Sequence, residues 1–406
     1  MPGASGKPPI LPRTSGPRLG VGLVTRRLST SDRGVHRPAS ASPTTVSPAL
    51  ASPDVINFPR GATLAVLLVV PVLGVLLAGR AAAAAPGTGP PAGPSTVVAL
   101  GDSAASGEGA GDYEPGTRGE AGDWCHRSPA AYVHHAGLGE RSVNLACSGA
   151  ASRDVRFGSG AHHTEGSQAA RLAALAATQR VRTVTLQVGA NDAPALGDVA
   201  VACIRTFVDP TVGPCRETVG GKWEARVAAM VPEVEGAVAD VRAAMRGAGY
   251  TEADYVLVLL SYGSPVTERM DALHGARGCP FSRPDAGWTR TVAFPRLSAA
   301  LAPIAARAGA RFLDLSRATE GREACSRSSP AEEWQRRLTV DARALVDDRL
   351  DAPGRHLFQE SFHPRAAGHA EIGRCLGEFV RGGAPRAVCL ATADGTLHPS
   401  VPAVTA

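Results

Sequence analysis

Short apolar runs that alternate with helical patterns constrain the fold of this chain most strongly. Runs bounded by Gly, Pro or polar turn residues predict buried strands at Thr96 to Leu100, Val143 to Ala146, Thr183 to Val188, Tyr255 to Leu260 and Arg311 to Leu315. Helical composition predicts a helix at Ser167 to Gln179, and apolar residues at helical spacing predict one at Trp223 to Arg246. Two more helices are predicted at Arg296 to Arg307 and at Pro364 to Arg381, the last with proline at its first position. This alternation predicts an α/β protein, a three-layer α/β/α sandwich on a parallel sheet of about five strands.

The predicted folded domain spans residues 95–390, and the segments outside it differ in composition. Residues 1–60 are rich in Pro, Ser, Gly and Arg, which predicts a disordered leader. Segment 61–85 has a basic flank, an apolar core and an alanine-rich exit, the parts of a secretory signal peptide, although its core is also long enough for a membrane anchor. We read 86–94 as a linker and 391–406 as a disordered tail.

Eight cysteines follow the apolar segment: Cys125, Cys147, Cys203, Cys215, Cys279, Cys325, Cys375 and Cys389. None forms a C-x-x-C pair, which favours disulfides made in an oxidising compartment over a zinc or redox site. The sequence allows many connectivities, and pairing of neighbours along the chain is the simplest. We therefore predict a secreted protein, with membrane anchoring as the alternative. A translation start near Val55 would leave most of the leader upstream of the true start.

The charge pattern and the missing motifs exclude several function classes. The formal net charge is +5, with no basic stripe of the kind that binds nucleic acid. The phosphate-binding fingerprints G-x-x-x-x-G-K-[ST] and G-x-G-x-x-G are missing from the strand-to-helix turns. No G-x-S-x-G elbow is present either, which argues against an ordinary α/β-hydrolase.

Four short segments carry candidate chemistry: Gly101 to Ser103, Ser148-Gly149, Gly189 to Asp192 and His363-Pro364. A serine hydroxyl such as that of Ser103 becomes a nucleophile only when a base takes its proton, and a histidine such as His363 titrates in the right range. Backbone N–H groups and an amide side chain can stabilise the resulting oxyanion. The loops that carry these groups converge if the first and third strands are neighbours, as in flavodoxin-like strand order.

These segments resemble the GDSL (SGNH) hydrolases, more narrowly the secreted actinobacterial lipases and esterases of that family. The similar blocks are ALGDSAASGEGAG, NLACSGA, LQVGANDA and ESFHPRAAGH, which together span most of the predicted domain. The resemblance implies an SGNH hydrolase fold and hydrolysis of carboxylic esters without a cofactor. By position it implies Ser103 as nucleophile and first oxyanion donor, Gly149 and Asn191 as the other donors, and His363 as the base.

One position departs from the family pattern. Glu360 stands three residues before His363, where the commoner pattern has aspartate. Its carboxylate can orient the imidazole, or a backbone carbonyl can take that part instead. We expect Asp102 to be structural and to bond the turn around Ser103.

The sequence is also compatible with other functions. The same machinery would serve a carbohydrate acetyl-esterase, and a catalytically idle secreted binding module could keep the fold. The pairs His134-His135 and His162-His163 suggest a metal, but adjacent histidines usually point apart, so we predict none. Trp124, Trp288 and Phe294 are candidates either for an acyl pocket or for core packing. We expect a monomer that acts on a small-molecule or lipid ester, with transient contact to a lipid surface and no nucleic acid partner.

Overall fold

The computed structural model describes residues 89–341, 344 and 356–402. The predicted leader at 1–60, the predicted signal peptide at 61–85 and the first residues of the linker lie outside this range. Within it, no helix has both the length and the apolar character needed to cross a membrane.

A seven-stranded sheet forms the middle layer, in the order β2-β1-β3-β4-β5-β6-β7. Its strands are β1 Ser95–Gly101, β2 Arg141–Asn144, β3 Arg180–Gln187, β4 Val256–Leu260, β5 Arg311–Asp314, β6 Arg386–Ala391 and β7 Leu397–Ser400. All neighbouring strands are parallel except β6 and β7, which are antiparallel. The predicted α/β fold and flavodoxin-like order are confirmed for β1 to β5, but the sheet has more than the expected five strands.

The two additional strands correct the prediction of a disordered tail at 391–406 for the residues up to 402, and residues 403–406 lie outside the described range. Strand β7 pairs with β6, with Ala391 opposite Leu397, and Leu397 is fully buried. An Asp-Gly pair at 394–395, with Gly395 at φ +83°, forms the turn between the strands. The hairpin places a short strand over the otherwise open edge of β6, and the burial of Leu397 stabilises it.

Ten helices cover the sheet in the described part of the chain: α1 Ser103–Ser106, α2 Tyr132–His135, α3 Ser152–Val155, α4 Gln168–Ala176, α5 Leu196–Val208, α6 Cys215–Thr218, α7 Trp223–Gly247, α8 Arg283–Trp288, α9 Phe294–Arg307 and α10 Ala366–Gly382. A π-helical turn, Thr289–Ala293, joins α8 to α9. Short 3₁₀ turns lie at Glu120–Gly122, Pro210–Val212, Gly220–Lys222 and Pro330–Glu332.

The four predicted helices are present, with differences at proline. Helix α7 continues through Pro232, although proline in a helix interior removes one backbone hydrogen bond. Helix α10 begins at Ala366 rather than at Pro364, which lies two residues before it. The other six helices were not predicted; the longest of them is α5.

The core lies on both faces of the sheet, as expected for parallel strands under helices. Along β1, Val98 and Leu100 join the cluster that includes residues of α4, α7 and α9, whereas Val97 and Ala99 join the cluster that includes residues of α2 and α10. This alternation follows the two-residue period of a strand. Burial on both faces explains why β1 reads as a continuous apolar run.

Four disulfides join cysteines that are neighbours in sequence: Cys125–Cys147, Cys203–Cys215, Cys279–Cys325 and Cys375–Cys389. The predicted pairing is confirmed. Two of the bridges link consecutive elements: Cys203–Cys215 joins α5 to α6, and Cys375–Cys389 joins α10 to β6.

Candidate active site

The end of β1 places a serine at the start of a short helix. A Cβ on Gly101, whose φ is +137°, would lie 1.9 Å from the carbonyl oxygen of Gln187, so only glycine fits there. The Asp102 carboxylate caps α1 by accepting the N–H of Ala104 at 3.0 Å, and it accepts the hydroxyl of Tyr262 at 2.6 Å. Burial raises the pKa of Asp102 to about 7, although both hydrogen bonds act to lower it. Asp102 thus holds the turn that presents Ser103, as predicted.

His363 lies directly against Ser103. Its Nε2 is 2.7 Å from Oγ of Ser103, and its Nδ1 is 3.1 Å from the carbonyl oxygen of Ser361. A carbonyl only accepts, so Nδ1 carries the ring proton and Nε2 is left to accept the proton of the serine hydroxyl. Burial lowers the pKa of His363, although the negative charge of Glu108 acts in the opposite direction. A lowered pKa keeps the imidazole neutral at pH 7, the form that can act as a base.

Two unusual backbone positions bring His363 close to Ser103, one just after α1 and one in the loop before α10. A Cβ on Gly109 would lie 2.8 Å from Cβ of His363, so glycine makes room for the histidine. Phe362 has a φ of +62°, in the left-handed region that a bulky residue seldom occupies. Its N–H donates to the carbonyl of Arg336 at 3.2 Å, and its ring packs edge-on against Phe281. These contacts hold a strained residue immediately before His363, a common arrangement at functional sites.

The Glu360 carboxylate bonds groups other than the imidazole of His363. The Glu360 carboxylate accepts the Tyr113 hydroxyl at 2.7 Å and pairs with the Arg336 guanidinium at 3.1 Å. The Ser361 carbonyl occupies the position at Nδ1 that a triad carboxylate would take. Of the two alternatives that the sequence left open, the geometry favours the backbone carbonyl.

The loops after β2 and β3 bring two further polar groups to the same cavity. Strands β2 and β3 both pair with β1, so their carboxyl ends lie beside Ser103. Gly149 and Asn191 line the cavity together with Ser103 and His363. One N–H of the Asn191 amide donates to the carbonyl of Ala150 at 3.0 Å, which leaves the second N–H for a ligand. The structure therefore brings together the four residues that the sequence motifs singled out.

The cavity next to Ser103 has a volume of about 250 Å³ and is lined mainly by apolar side chains. Helix α5, the loop after β4, the α8–α9 segment and the loop before α10 contribute Leu196, Val199, Val266, Phe281, Phe294 and Phe362. Of the aromatic residues considered from sequence, Phe294 lines the cavity. Trp288 packs edge-on against Trp223, and Trp124 stacks on His356. A cavity of this chemistry suits an apolar group such as an acyl chain.

A buried carboxylate behind His363 was not singled out from the sequence. Glu108 is fully buried, and its carboxylate lies 2.9 Å from Nδ1 of His126 and accepts an amide N–H of Gln359 at 2.8 Å. Burial alone would raise the pKa of Glu108, but the hydrogen bond and charge of His126 bring it down to about 2. In the sequence, Glu108 is marked only as an acidic residue between two glycines, a few residues after Ser103. Tyr262, two residues beyond β4, was equally visible by its place at the carboxyl edge of the sheet.

The two adjacent histidines at 162–163 do not point apart as expected. Nε2 of His162 and Nε2 of His163 lie 2.8 and 3.3 Å from the same carbonyl oxygen, that of Ser148. Among the described residues, the closest groupings of metal-ligand types near them include Cys125 or Cys147. Both sulfurs are taken up in a disulfide, so these groupings lack the thiolate that would bind a metal.

Comparison with known proteins assigns the family. Residues 99–371 match the GDSL-like Lipase/Acylhydrolase family, and the chain therefore belongs to it. It is accordingly a hydrolase of the ester-cleaving class. The sequence has no significant match among the curated proteins.

Solved structures of similar fold include two from Streptomyces. Phospholipase A1 from Streptomyces albidoflavus NA297 is 23% identical and has a TM-score of 0.49, with 72% of this chain and 100% of that chain covered. An extracellular lipase from Streptomyces rimosus is 21% identical and has a TM-score of 0.42, with 68% and 94% covered. A carbohydrate acetylesterase from Sinorhizobium meliloti is 11% identical and has a TM-score of 0.33, with 71% and 98% covered.

Proposed function

We propose that this protein is a secreted serine esterase or lipase that cleaves carboxylic esters through an acyl-enzyme on Ser103. The observation that carries the proposal is the 2.7 Å contact between Nε2 of His363 and Oγ of Ser103 at the mouth of an apolar cavity. A nucleophile and a base within hydrogen-bond reach, with the base oriented by a third group, are what covalent ester cleavage needs.

The proposed reaction proceeds in two halves. Nε2 of His363 accepts the Ser103 proton as Oγ attacks the ester carbonyl, and the protonated imidazole then gives that proton to the departing alcohol. Water next attacks the acyl-enzyme, with His363 again taking and returning a proton, which releases the carboxylic acid and restores Ser103. The oxyanion of each tetrahedral intermediate accepts hydrogen bonds from the N–H groups of Ser103 and Gly149 and from the Asn191 amide.

The cavity lining supports an apolar acyl group over a sugar at this position. Leu196, Val199 and Phe294 offer no hydrogen bonds to hydroxyl groups, which a carbohydrate acetyl-esterase would need near its substrate. Each methylene removed from water contributes about 0.8 kcal/mol, so a chain of several carbons gains substantially from this cavity.

Hydrolysis of p-nitrophenyl esters from acetate to palmitate tests the proposal. We expect turnover that rises from acetate to medium chains and falls to background in Ser103→Ala, with Ser328→Ala, an exposed serine, as the matched control. Asn191→Ala should lower kcat by about 10²–10³, the usual result of removing one oxyanion donor. Activity confined to acetate would favour the carbohydrate acetyl-esterase, and a folded chain that cleaves no ester would favour the idle binding module.

Four disulfides and the apolar segment near residue 70 support secretion, because disulfides persist in oxidising compartments. Mass spectrometry of the protein from culture medium tests it. We expect a mature chain that begins close to Pro86, whereas a chain recovered only from membranes with the apolar segment intact would indicate an anchor.

A further inference from the structure

The peptide group between Ser148 and Gly149 is held on its carbonyl side by two histidines. Nε2 of His162 lies 2.8 Å and Nε2 of His163 lies 3.3 Å from the Ser148 carbonyl oxygen. Because that oxygen can only accept, both ring nitrogens must carry a proton and donate. The two imidazoles therefore use both lone pairs of one carbonyl.

The same peptide group contains the N–H of Gly149. A peptide unit is planar and trans, so its C=O and N–H point in opposite directions and rotate together. Fixing the direction of the Ser148 carbonyl therefore fixes the direction of the Gly149 N–H. Hydrogen bonds into a carbonyl also polarise the N–H of that peptide and strengthen it as a donor, by ~10–30% per bond.

The rest of this loop is also anchored, which leaves the Gly149 N–H as the group directed at a ligand. The N–H of Ser148 donates to the carbonyl of Cys125 at 3.0 Å, and the N–H of Ala150 donates to the carbonyl of Cys147 at 3.1 Å. The Ala150 carbonyl in turn accepts from Asn191. Within the described part of the chain, the Gly149 N–H has no acceptor, and Gly149 lines the cavity.

The histidines lie on a turn that is held by its own hydrogen bonds and ion pairs. His162 and Glu165 exchange two backbone hydrogen bonds, and His163 has a left-handed φ of +52°, which turns its ring to the same side as that of its neighbour. The Glu165 carboxylate is bound by the guanidinium groups of Arg127 and Arg171. Burial lowers the pKa of His163 to about 4, so this ring is neutral at pH 7 and has one N–H to place.

We propose that His162 and His163 are positioning residues that aim and polarise the Gly149 N–H as an oxyanion donor. The inference rests on the proposed ester hydrolysis and deepens it. Neither histidine lines the cavity. Each acts through the Ser148 carbonyl, and the effect is realised in the transition state, where the oxyanion forms.

Kinetics of histidine variants provide the first test. We expect His162→Ala to lower kcat about tenfold, and His162→Ala/His163→Ala about thirtyfold or more, short of the ~10²–10³ for loss of a whole donor. KM should stay within about twofold, since a donor to the oxyanion acts mainly in the transition state. His162→Gln, which keeps an N–H donor, should restore most of kcat. His134→Ala is the matched control, because His134 bonds the Ser142 hydroxyl away from the cavity.

A second readout needs no ester. In the full chain labelled with ¹³C-carbonyl serine and ¹⁵N-glycine, only Ser–Gly peptides give a coupled amide signal, and that of residues 148–149 is one of few. Loss of the hydrogen bonds to the Ser148 carbonyl should move the Gly149 amide signal upfield in His162→Ala and in the double variant. His162→Gln and His134→Ala should leave that signal nearly in place.

The two readouts separate this inference from the proposed function. If the wild-type chain cleaves no ester but the Gly149 signal moves as expected, the proposed function fails and the control of the peptide by the histidines stands. If the chain cleaves esters but the signal does not move, or kcat is unchanged while the signal moves, the inference is overturned. A parallel rise in KM, with no rescue by His162→Gln, would likewise overturn it in favour of a merely structural turn.

Discussion

The substitution Glu360→Gln distinguishes a backbone carbonyl from a carboxylate as the partner of His363. Glutamine keeps the size of the side chain and can still accept the Tyr113 hydroxyl, now bonded at 2.7 Å. It removes the negative charge and the ion pair with Arg336, whose side chain is 29% exposed. The Ser361 carbonyl at Nδ1 of His363 is left as it is.

The two possible partners of His363 predict very different losses of kcat in this variant. Partly exposed ion pairs contribute up to ~1 kcal/mol, which corresponds to at most about a fivefold change. In a Ser-His-Asp arrangement, by contrast, replacing the carboxylate with its amide lowers kcat by about 10⁴, or ~5.5 kcal/mol of transition-state stabilisation. We therefore expect Glu360→Gln to retain at least a fifth of the wild-type kcat.

The assay is kcat on p-nitrophenyl butyrate, measured beside the thermal unfolding midpoint. Glu371→Gln, which removes a comparable pair with Arg374 on α10, is the matched control. A loss of kcat of a thousandfold or more in Glu360→Gln, with an unfolding midpoint near that of the wild type, would refute the reasoning and make Glu360 part of a triad.

Three further predictions follow from the cavity, the base and the disulfides. Because His363 must be neutral to act and its pKa lies below the usual 6.5, kcat/KM should fall on acidification with a midpoint below pH 6.5; a pH profile with a midpoint of 7 or higher would contradict this. Leu196→Trp should fill space in the cavity and lower kcat/KM for dodecanoate about tenfold relative to acetate, because about two methylenes of the acyl chain would no longer be buried there. An unchanged chain-length profile would argue against this cavity as the acyl site. Cys203→Ser/Cys215→Ser should lower the free energy of unfolding by about 3 kcal/mol in urea titration, and a change under 1 kcal/mol would show that this bridge adds little.

The parts of the fold that could be predicted from sequence are those with local patterns. Strands β1, β3 and β4 read as apolar runs because they are buried on both faces. Helix α7 was visible from its spaced apolar residues. Hairpin β6–β7 was missed because its strands are short and lie at the edge, so their side chains alternate in burial and are partly polar.

The candidate site likewise contains residues that the sequence predicts and contacts that it does not. Ser103, Gly149, Asn191 and His363 stand in recognisable motifs at strand ends or helix starts, so their convergence followed from the strand order. The role of the Ser361 carbonyl had no sequence signal, because every residue has a carbonyl and its direction depends on the left-handed backbone at Phe362. The shared target of His162 and His163 depends in the same way on a local backbone angle, which their sequence does not reveal.

Covalent trapping tests the central claim, that Ser103 is the nucleophile, most directly. The full chain would be treated with diethyl p-nitrophenyl phosphate, which transfers a diethylphosphoryl group to an activated serine and releases p-nitrophenol, and the labelled peptide would be located by mass spectrometry. The account predicts one group per chain, on Ser103, with loss of esterase activity in proportion to labelling and no label in Ser103→Ala or His363→Ala. A label on another residue, or ester turnover that persists in Ser103→Ala, would contradict it.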